Sequence, residues 1–330
     1  MPFRDIVGHR HLLDLVAAAA MRASLPPSVI FAGPEGVGKR KAAIALAQLV
    51  NCPTPVDNDA CGTCASCARI ARLVHADVIL VEPGDTGVIK VDQVRDVVER
   101  TGYRPFEGRR RVVIIDDADA MLSEAQNALL KTLEEPPSAS MFVLVTARPD
   151  ELLPTVLSRC QRLRFGRLAP GDIAAVLMKA HEYTATDAHA AASASDGSLG
   201  LALEGGSDAL VEAREAAAEV LQHVAGASDP RRRLDSARLL AGGGDRDDLR
   251  RRLRALASMV RDLAVIGVQS PTIDEGRLAN ADLREPLVRL SRSFDRDRVS
   301  RAFAAIDRAL EAIDRNASPK IVADWLAFQL

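Results

Sequence analysis

Four short runs decide most of what this chain can become: "VIFA" at 29–32, "VILV" at 78–81, "VVII" at 112–115 and "FVLVT" at 142–146. They are continuously apolar and rich in β-branched residues, and helical patterns lie between most of them. A strand that is apolar throughout must be covered on both faces, which points to a mostly parallel sheet with helices packed against it. A weaker run, "RLRF" at 162–165, supplies a fifth strand. One helix is well marked. Ser123 is placed to cap it and Gln126 to complete a capping box, and it runs through "EAQNALLKTLEE" to stop at Pro136-Pro137.

After about residue 166 the strand signals vanish. Residues 170–205 read as a small helical module punctuated by Gly197 and Gly200. From 208 onward the text is helical: "LVEAREAAAEVLQHV", "LRRRLRALASMVRDLAVI" and "RVSRAFAAIDRALEAI", with "AGGGDRDD" at 241–248 as a separator. The expected organisation is an α/β domain over 1–166, a small helical domain over 167–207 and an all-helical domain over 208–330.

Only 3% of residues are aromatic, so Ala, Leu and Val must fill the core. The net charge of −2 makes the whole molecule no electrostatic magnet for nucleic acid, so any DNA contact is local or shared with partners. The first residues lack the apolar core of a secretion signal, and no apolar run approaches the roughly 18 residues of a membrane span. The expected setting is cytoplasmic, with no membrane partner. There free thiols and metal sites are commoner than disulfides.

Between the first strand and a helix lies "GPEGVGKR", Gly33 to Arg40. Its G-x-x-x-x-G-K pattern is that of a phosphate-binding loop, in which Gly33, Gly36 and Gly38 free the backbone to wrap an anion and Lys39 reaches the β/γ phosphates. A working loop ends in Ser or Thr, whose hydroxyl binds Mg²⁺; here Arg40 stands there, a cation without a lone pair to offer a metal. The competing reading is a glycine-rich turn that binds nothing. "VVIIDDAD" ends a strand in Asp116, the position of the acid that holds Mg²⁺. The next residue is Asp117, a methylene shorter than the Glu expected of an ATPase. Two parts of the hydrolytic machinery thus depart from pattern independently, which predicts a degenerate nucleotide site with poor or absent turnover.

Cys52, Cys61, Cys64 and Cys67 are spaced C-x8-C-x2-C-x2-C. This clustering reads as a structural four-cysteine zinc site, with Gly62 easing the turn. A redox pair or loose thiols are the alternatives.

"NALLKTLEEPP" (127–137) and "LPTVLSRCQRLRF" (153–165) resemble the signatures of clamp-loader subunits, the AAA+ group that opens sliding clamps for DNA polymerases. The cysteine insertion is also similar to a bacterial clamp-loader feature. "AIDRNASPKIVADWLAFQL" resembles, more loosely, the last helices of the family's oligomerisation collar. The resemblance implies an AAA+ domain with a five-stranded parallel sheet and an inserted zinc module at 52–67, a helical lid at 167–207 and an all-α collar at 208–330. The family's motor subunits, resembling gamma/tau, carry G-K-[ST] and Asp-Glu where this chain has Gly38-Lys39-Arg40 and Asp116-Asp117. A phosphate-sensing Arg of the family falls at Gly200. The Ser158-Arg159-Cys160 triplet is intact, and in the family its Arg is an arginine finger that projects into the neighbour's ATP site. Together these imply a non-motor, stator-like subunit of the DNA polymerase III clamp loader, which supplies Arg159 in trans. The partners implied are gamma/tau and delta subunits, with sliding clamp and primed DNA reached through the assembly. Structural zinc is implied, with ATP or ADP at Gly33, Gly36, Gly38, Lys39, Arg40, Asp116 and Thr146. The competing reading is an ATP-hydrolysing motor subunit. A different AAA+ protein, such as a helicase loader, fits "LLKTLEEPP", "SRC" and the cysteine module less well.

Thr146 resembles the family's sensor-1 position, although Thr is also common at strand ends. Val7, Gly8 and His9 resemble a segment beside the adenine pocket; plain packing is the other reading. The basic "RPFEGRRRVV" (104–113) reads as a solvated loop before a strand, with DNA phosphate contact as the alternative. "RRRLR" (250–254) reads as collar surface, and Cys160 as a small packed residue.

Overall fold

The apolar runs come together side by side. The computed structural model describes residues 1–204, 206–226, 230–268 and 278–330. In it β1 (Ser28–Ala32), β2 (Val78–Val81), β3 (Arg111–Ile115), β4 (Ser140–Thr146) and β5 (Gln161–Arg164) form one sheet in the order β2-β3-β4-β1-β5. Every pairing is parallel; Ile30 of β1 lies opposite Leu144 of β4 on one side and Arg162 of β5 on the other. β5 pairs only with β1, and its exposed Gln161, Arg162 and Arg164 suit an edge. That position accounts for its weak apolar signal.

Alternation along the strands divides the core into two layers. Val29, Phe31, Ile114 and Val143 point to one face, where they pack with Leu13 and Val16 of α1 (Arg10–Met21) and Leu46 and Leu49 of α2 (Lys39–Asn51). The short α3 (Ala65–Ala71) adds Ile70 to this layer. Ile30, Val113, Phe142 and Leu144 point to the other face, against Val94 and Val97 of α4 (Val91–Thr101) and Leu129 and Leu133 of α5 (Ser123–Glu134). α6 (Pro154–Leu157) then leads into β5. These elements belong to a unit spanning Met1–Leu168; Ala169–Leu330 form a second.

Two sequence expectations fail locally in the first unit. Leu122, not Ser123, is the cap residue of α5, and no side chain caps it. Gln126 turns inward instead. Its amide donates to the Met121 carbonyl (3.1 Å) and the Glu151 carbonyl (3.3 Å), and its oxygen accepts the Leu153 N–H (2.7 Å). A buried amide with three interior partners has no reason to reach back to the helix start. The basic run also divides: Arg111 opens β3, is buried, and pairs with the fully buried Asp77 at 3.0 Å. A guanidinium in that place is a structural cation, not a solvated one.

The second unit is helical throughout its described residues: α7 (Pro170–Ala180), α8 (Ala185–Ala194), α9 (Leu199–Glu204), α10 (Gly206–Ala225), α11 (Pro230–Ala241), α12 (Arg246–Val268), α13 (Arg284–Ser291), α14 (Arg296–Asp314) and α15 (Pro319–Gln329). Leu249, Leu253, Leu256, Val260 and Leu263 of α12 face Val299, Ala302, Ile306, Ala309 and Ile313 of α14, each at three- and four-residue spacing. Asp196, after α8, accepts from Ser258 Oγ (3.0 Å) and Arg261 (2.9 Å) of α12. Residue 205, inside the expected 167–207 module, lies outside the described residues. The surface reading of "RRRLR" fails at Arg252, which is buried, donates to the Leu239 carbonyl and pairs with Glu212 and Asp248, each at 2.9 Å. Among the described residues no helix is long and apolar enough to cross a membrane.

Candidate nucleotide site and cysteine cluster

The loop after β1, Asp116 after β3 and Thr146 at the end of β4 all lie at the carboxyl edge of the parallel sheet. This is the edge where open α/β sheets hold ligands. Gly33 admits no side chain, because a Cβ there would lie 2.2 Å from the Phe165 carbonyl oxygen. Gly36 (φ 69°) and Gly38 (φ 99°) take left-handed turns that deliver the chain into α2. Gly38 caps α2 without a side chain, so no side chain claims the N–H groups of its first turn. They form the positive end of the helix dipole.

Lys39 is buried, and its Nζ donates to the Gly33 and Pro34 carbonyls at 2.7 Å each. Burial pushes its pKa down, against the pull of Glu35, Asp116, Asp117 and Asp119. Arg40 reaches across the site. One guanidinium nitrogen lies 2.5 Å from Glu82 Oε1 and 3.1 Å from Asp116 Oδ2. Burial raises the Asp116 carboxyl, with the Arg40 charge opposing. Asp117 sits in the left-handed region (φ 46°), and burial and then the neighbouring Asp116 and Asp119 raise its carboxyl too. Magnesium does not fit this donor set: position 40 offers no oxygen, and its guanidinium already holds the acid that would face the ion.

Thr146 is fully buried, and its hydroxyl donates to Asp119 Oδ1 (2.5 Å) while accepting the Arg148 N–H (3.0 Å). His9 Nε2 lies 3.1 Å from the Val37 carbonyl, and its ring meets Phe165 edge-on at 4.9 Å. The N-terminal segment therefore packs directly on the loop. Arg159 follows α6, half-buried, and donates to the Thr155 carbonyl (2.9 Å) and Glu134 Oε2 (3.3 Å). Cys160 is buried, which pushes its thiol up to about 12 and suits a packed residue. Gly200 lies in α9, with no cation at that position.

The four clustered cysteines converge. Cys52 follows α2, Cys64 caps α3, and Gly62 turns between them at φ 79°. All four Sγ atoms lie within 4.8 Å of one another, with Cys61 and Cys67 at 4.0 Å. Tetrahedral thiolates at about 2.3 Å from zinc stand roughly 3.8 Å apart, so the residues fit a metal site with four thiolate ligands. Backbone N–H groups of Cys61, Cys64 and Cys67 donate to the sulfurs of Cys52, Cys61 and Cys64. The Cys64 N–H first, then that of Thr63, lowers the Cys61 thiol to about 5, toward the thiolate a metal needs.

Sequence reasoning missed four carboxylates here. Glu82 and Asp119 are the partners of Arg40 and Thr146. Asp77 holds Arg111. Asp59 accepts the Phe3 and Arg4 N–H groups at 3.0 Å each, while Arg4 donates to the Ala60 and Cys61 carbonyls at 2.8 Å, docking the first residues onto the cysteine module. The only signal for any of them was position: Glu82, like Asp116, directly follows an apolar strand.

Residues 8–169 match the family model described as DNA polymerase III, delta subunit. The chain is 37% identical over 167 residues to the DNA polymerase III subunit tau of Bacillus subtilis, covering 50% of this chain and 29% of the relative. It is 33% identical over 177 residues to the gamma/tau subunit of Mycobacterium tuberculosis, covering 54% and 31%. The matched region thus spans about a third of the length of these relatives. A gamma subunit-related protein of Thermotoga maritima, of known structure, aligns over 96% of this chain and 97% of its own at 17% identity and a TM-score of 0.41. Residues 8–169, just under half of the chain, are thus similar to DNA polymerase III delta, tau and gamma/tau subunits.

Proposed function

We propose that this chain is a non-motor subunit of the DNA polymerase III clamp loader, of the delta-prime kind, that builds the ring and lends Arg159 to a neighbour's ATP site. The observation that carries the reading is the Arg40 guanidinium on Asp116: the acid that would hold Mg²⁺ in a motor is paired with the chain's own cation. Asp117 in place of Glu and Gly200 in place of a phosphate-sensing Arg point the same way. Residues 1–166 are the AAA+ domain, 167–207 the lid and 208–330 the collar that associates with gamma/tau and delta subunits. The four cysteines hold a structural zinc. Such an ion adds roughly 10 kcal/mol or more to the ordering of a small module.

Arg159 is suited to transfer. Its present partners are a main-chain carbonyl and the exposed Glu134, and an exposed ion pair of that sort contributes about 0–1 kcal/mol. Releasing it costs little against the roughly 10³–10⁵ in rate that an arginine finger supplies in phosphoryl transfer. The sliding clamp and primed DNA are engaged by the assembly.

A second reading is a gamma/tau-type motor subunit, favoured by the names of the sequence relatives. ATP turnover by the isolated, zinc-loaded, folded chain separates the two. The stator reading expects none; turnover abolished by Lys39→Ala would establish the motor. In the reconstituted loader, Arg159→Ala should leave folding intact and lower clamp-stimulated turnover, and unchanged turnover refutes the role in trans.

A further inference from the structure

Residues 2–9 touch the cysteine module at one end and the loop after β1 at the other. At the first end Asp59 takes the Phe3 N–H on one carboxylate oxygen and the Arg4 N–H on the other, and the Arg4 guanidinium spans the Asp59 carboxylate and the Ala60 and Cys61 carbonyls. Pro2 lies against Gly62, where an added Cβ would come within 3.3 Å of its ring. At the other end Ile6 is buried, and a Cβ at Gly38 would meet its Cγ2 at 3.8 Å. His9 then places Nε2 3.1 Å from the Val37 carbonyl. One short segment thus holds Asp59 and covers the turn that opens α2.

The cysteine end has no core of its own. Between Cys52 and Cys67 the sole buried apolar side chain is Ala60. Asp57 and Asn58 both sit in the left-handed region (φ 51° and 58°), in a turn closed by mutual backbone bonds of Val56 and Asp59 at 2.8 Å each. The position of this turn, and of Asp59 within it, therefore rests on Cys61, two residues further on, and on its convergence with Cys52, Cys64 and Cys67. A metal on four thiolates locks that convergence, whereas sulfurs alone are weak donors and acceptors.

We infer that residues 2–9 are a strap through which metal occupancy of the cysteine site sets the order of the loop after β1. With the site emptied, the turn carrying Asp59 loosens, Phe3 and Arg4 leave it, and the backbone at Val37 and Gly38 is uncovered. The inference rests on the metal reading of the four cysteines. It is independent of whether the loop takes a nucleotide and of whether the chain turns ATP over.

Hydrogen–deuterium exchange of the full chain, resolved to single amides by mass spectrometry, tests it. Three N–H groups report along the path: Ile6, bonded to the Phe3 carbonyl (3.0 Å), Leu13, bonded to the His9 carbonyl (2.9 Å), and Ala42, bonded to the Gly38 carbonyl (2.9 Å). Stripping zinc with a chelator should speed exchange at all three by about tenfold and leave β3 unmoved. Gln48 also donates to the Cys67 carbonyl (2.7 Å), which gives zinc removal a second path into α2. Arg4→Ala isolates the strap. Arg4 is exposed, so the variant keeps the core, and metal analysis checks that it keeps its zinc. With zinc bound it should speed Ile6, Leu13 and Ala42 by about three- to tenfold, while Leu49 and Asn51 at the far end of α2 stay as in wild type. Asp59→Asn, which leaves one oxygen for two N–H groups, should do the same. If Asp59→Asn loses its zinc, or if chelation also speeds β3, the Arg4→Ala comparison decides alone. Unchanged exchange at Ala42 in zinc-loaded Arg4→Ala overturns the inference and leaves the metal reading standing, and so does unchanged exchange at Ile6 on zinc removal. Protein that holds no zinc as purified sinks both.

Discussion

Replacing Asp77 with Asn should show how much the loop before β3 depends on one buried carboxylate. Asp77 is fully buried and accepts the N–H groups of Phe106 (2.7 Å), Glu107 (2.8 Å) and Gly108 (2.8 Å), as well as the Arg111 guanidinium at 3.0 Å. Burial by itself would raise its carboxyl. The three N–H donors and Arg111 outweigh it and hold the group at about 2, against an ordinary 3.8. At 1.36 kcal/mol per unit, that depression contributes about 2.4 kcal/mol of stability at neutral pH. The sign follows from the direction: a carboxyl depressed by folding stabilises fully above its unfolded value, and the contribution drains away as pH falls through the folded one. Asn keeps the shape, offers one acceptor oxygen and turns an NH₂ toward donors, so Asp77→Asn should cost about 2–4 kcal/mol at pH 7. Urea unfolding followed by far-ultraviolet circular dichroism at pH 7 measures the cost. Repeating it at pH 3 should shrink the gap between variant and wild type by about half, because the wild-type carboxylate is then giving up its advantage. A cost below about 0.5 kcal/mol, or a gap that does not narrow at pH 3, refutes the account of Asp77 as the ionic anchor of the loop.

Two further outcomes are expected. Metal analysis of unchelated protein should find about one zinc per chain, lost in Cys64→Ser, and a thiol reagent at pH 8 should reach no cysteine quickly in the loaded protein, because four are ligands and Cys160 is buried with its thiol pushed up to about 12. Protein free of zinc as purified would remove the metal reading. Gly33→Ala should destabilise the first unit by about 1–3 kcal/mol in thermal unfolding, since its new Cβ must push the Phe165 carbonyl, and with it the end of β5, away from β1; a stability equal to wild type would mean the loop relaxes at no cost.

How much of this was legible beforehand differs by element. The four strong strands were readable because each is buried on both faces, which leaves an uninterrupted apolar run. The helices of α12 and α14 were readable from their three- and four-residue spacing. The phosphate loop and the cysteine cluster declared themselves because their members are close in sequence. Ser123 and Gln126 misled, since the capping pattern is local and the interior partners of Gln126, Glu151 and Leu153, lie about 25 residues away. Arg111 and Arg252 misled for a related reason: a charge run says nothing of which guanidinium meets a buried acid.

Local chemistry along the chain thus determined the α/β class, the glycine turns of the phosphate loop, the thiol set and the absence of a hydroxyl at position 40. Only the tertiary structure decided what Arg40 does with its charge. Its partners Glu82 and Asp116 lie 42 and 76 residues away and come within reach because parallel strands end at one edge of the sheet. A covalent neighbour constrains a residue through backbone geometry, whereas an ion pair across the sheet exists only once the strands carrying its two ends have been ordered.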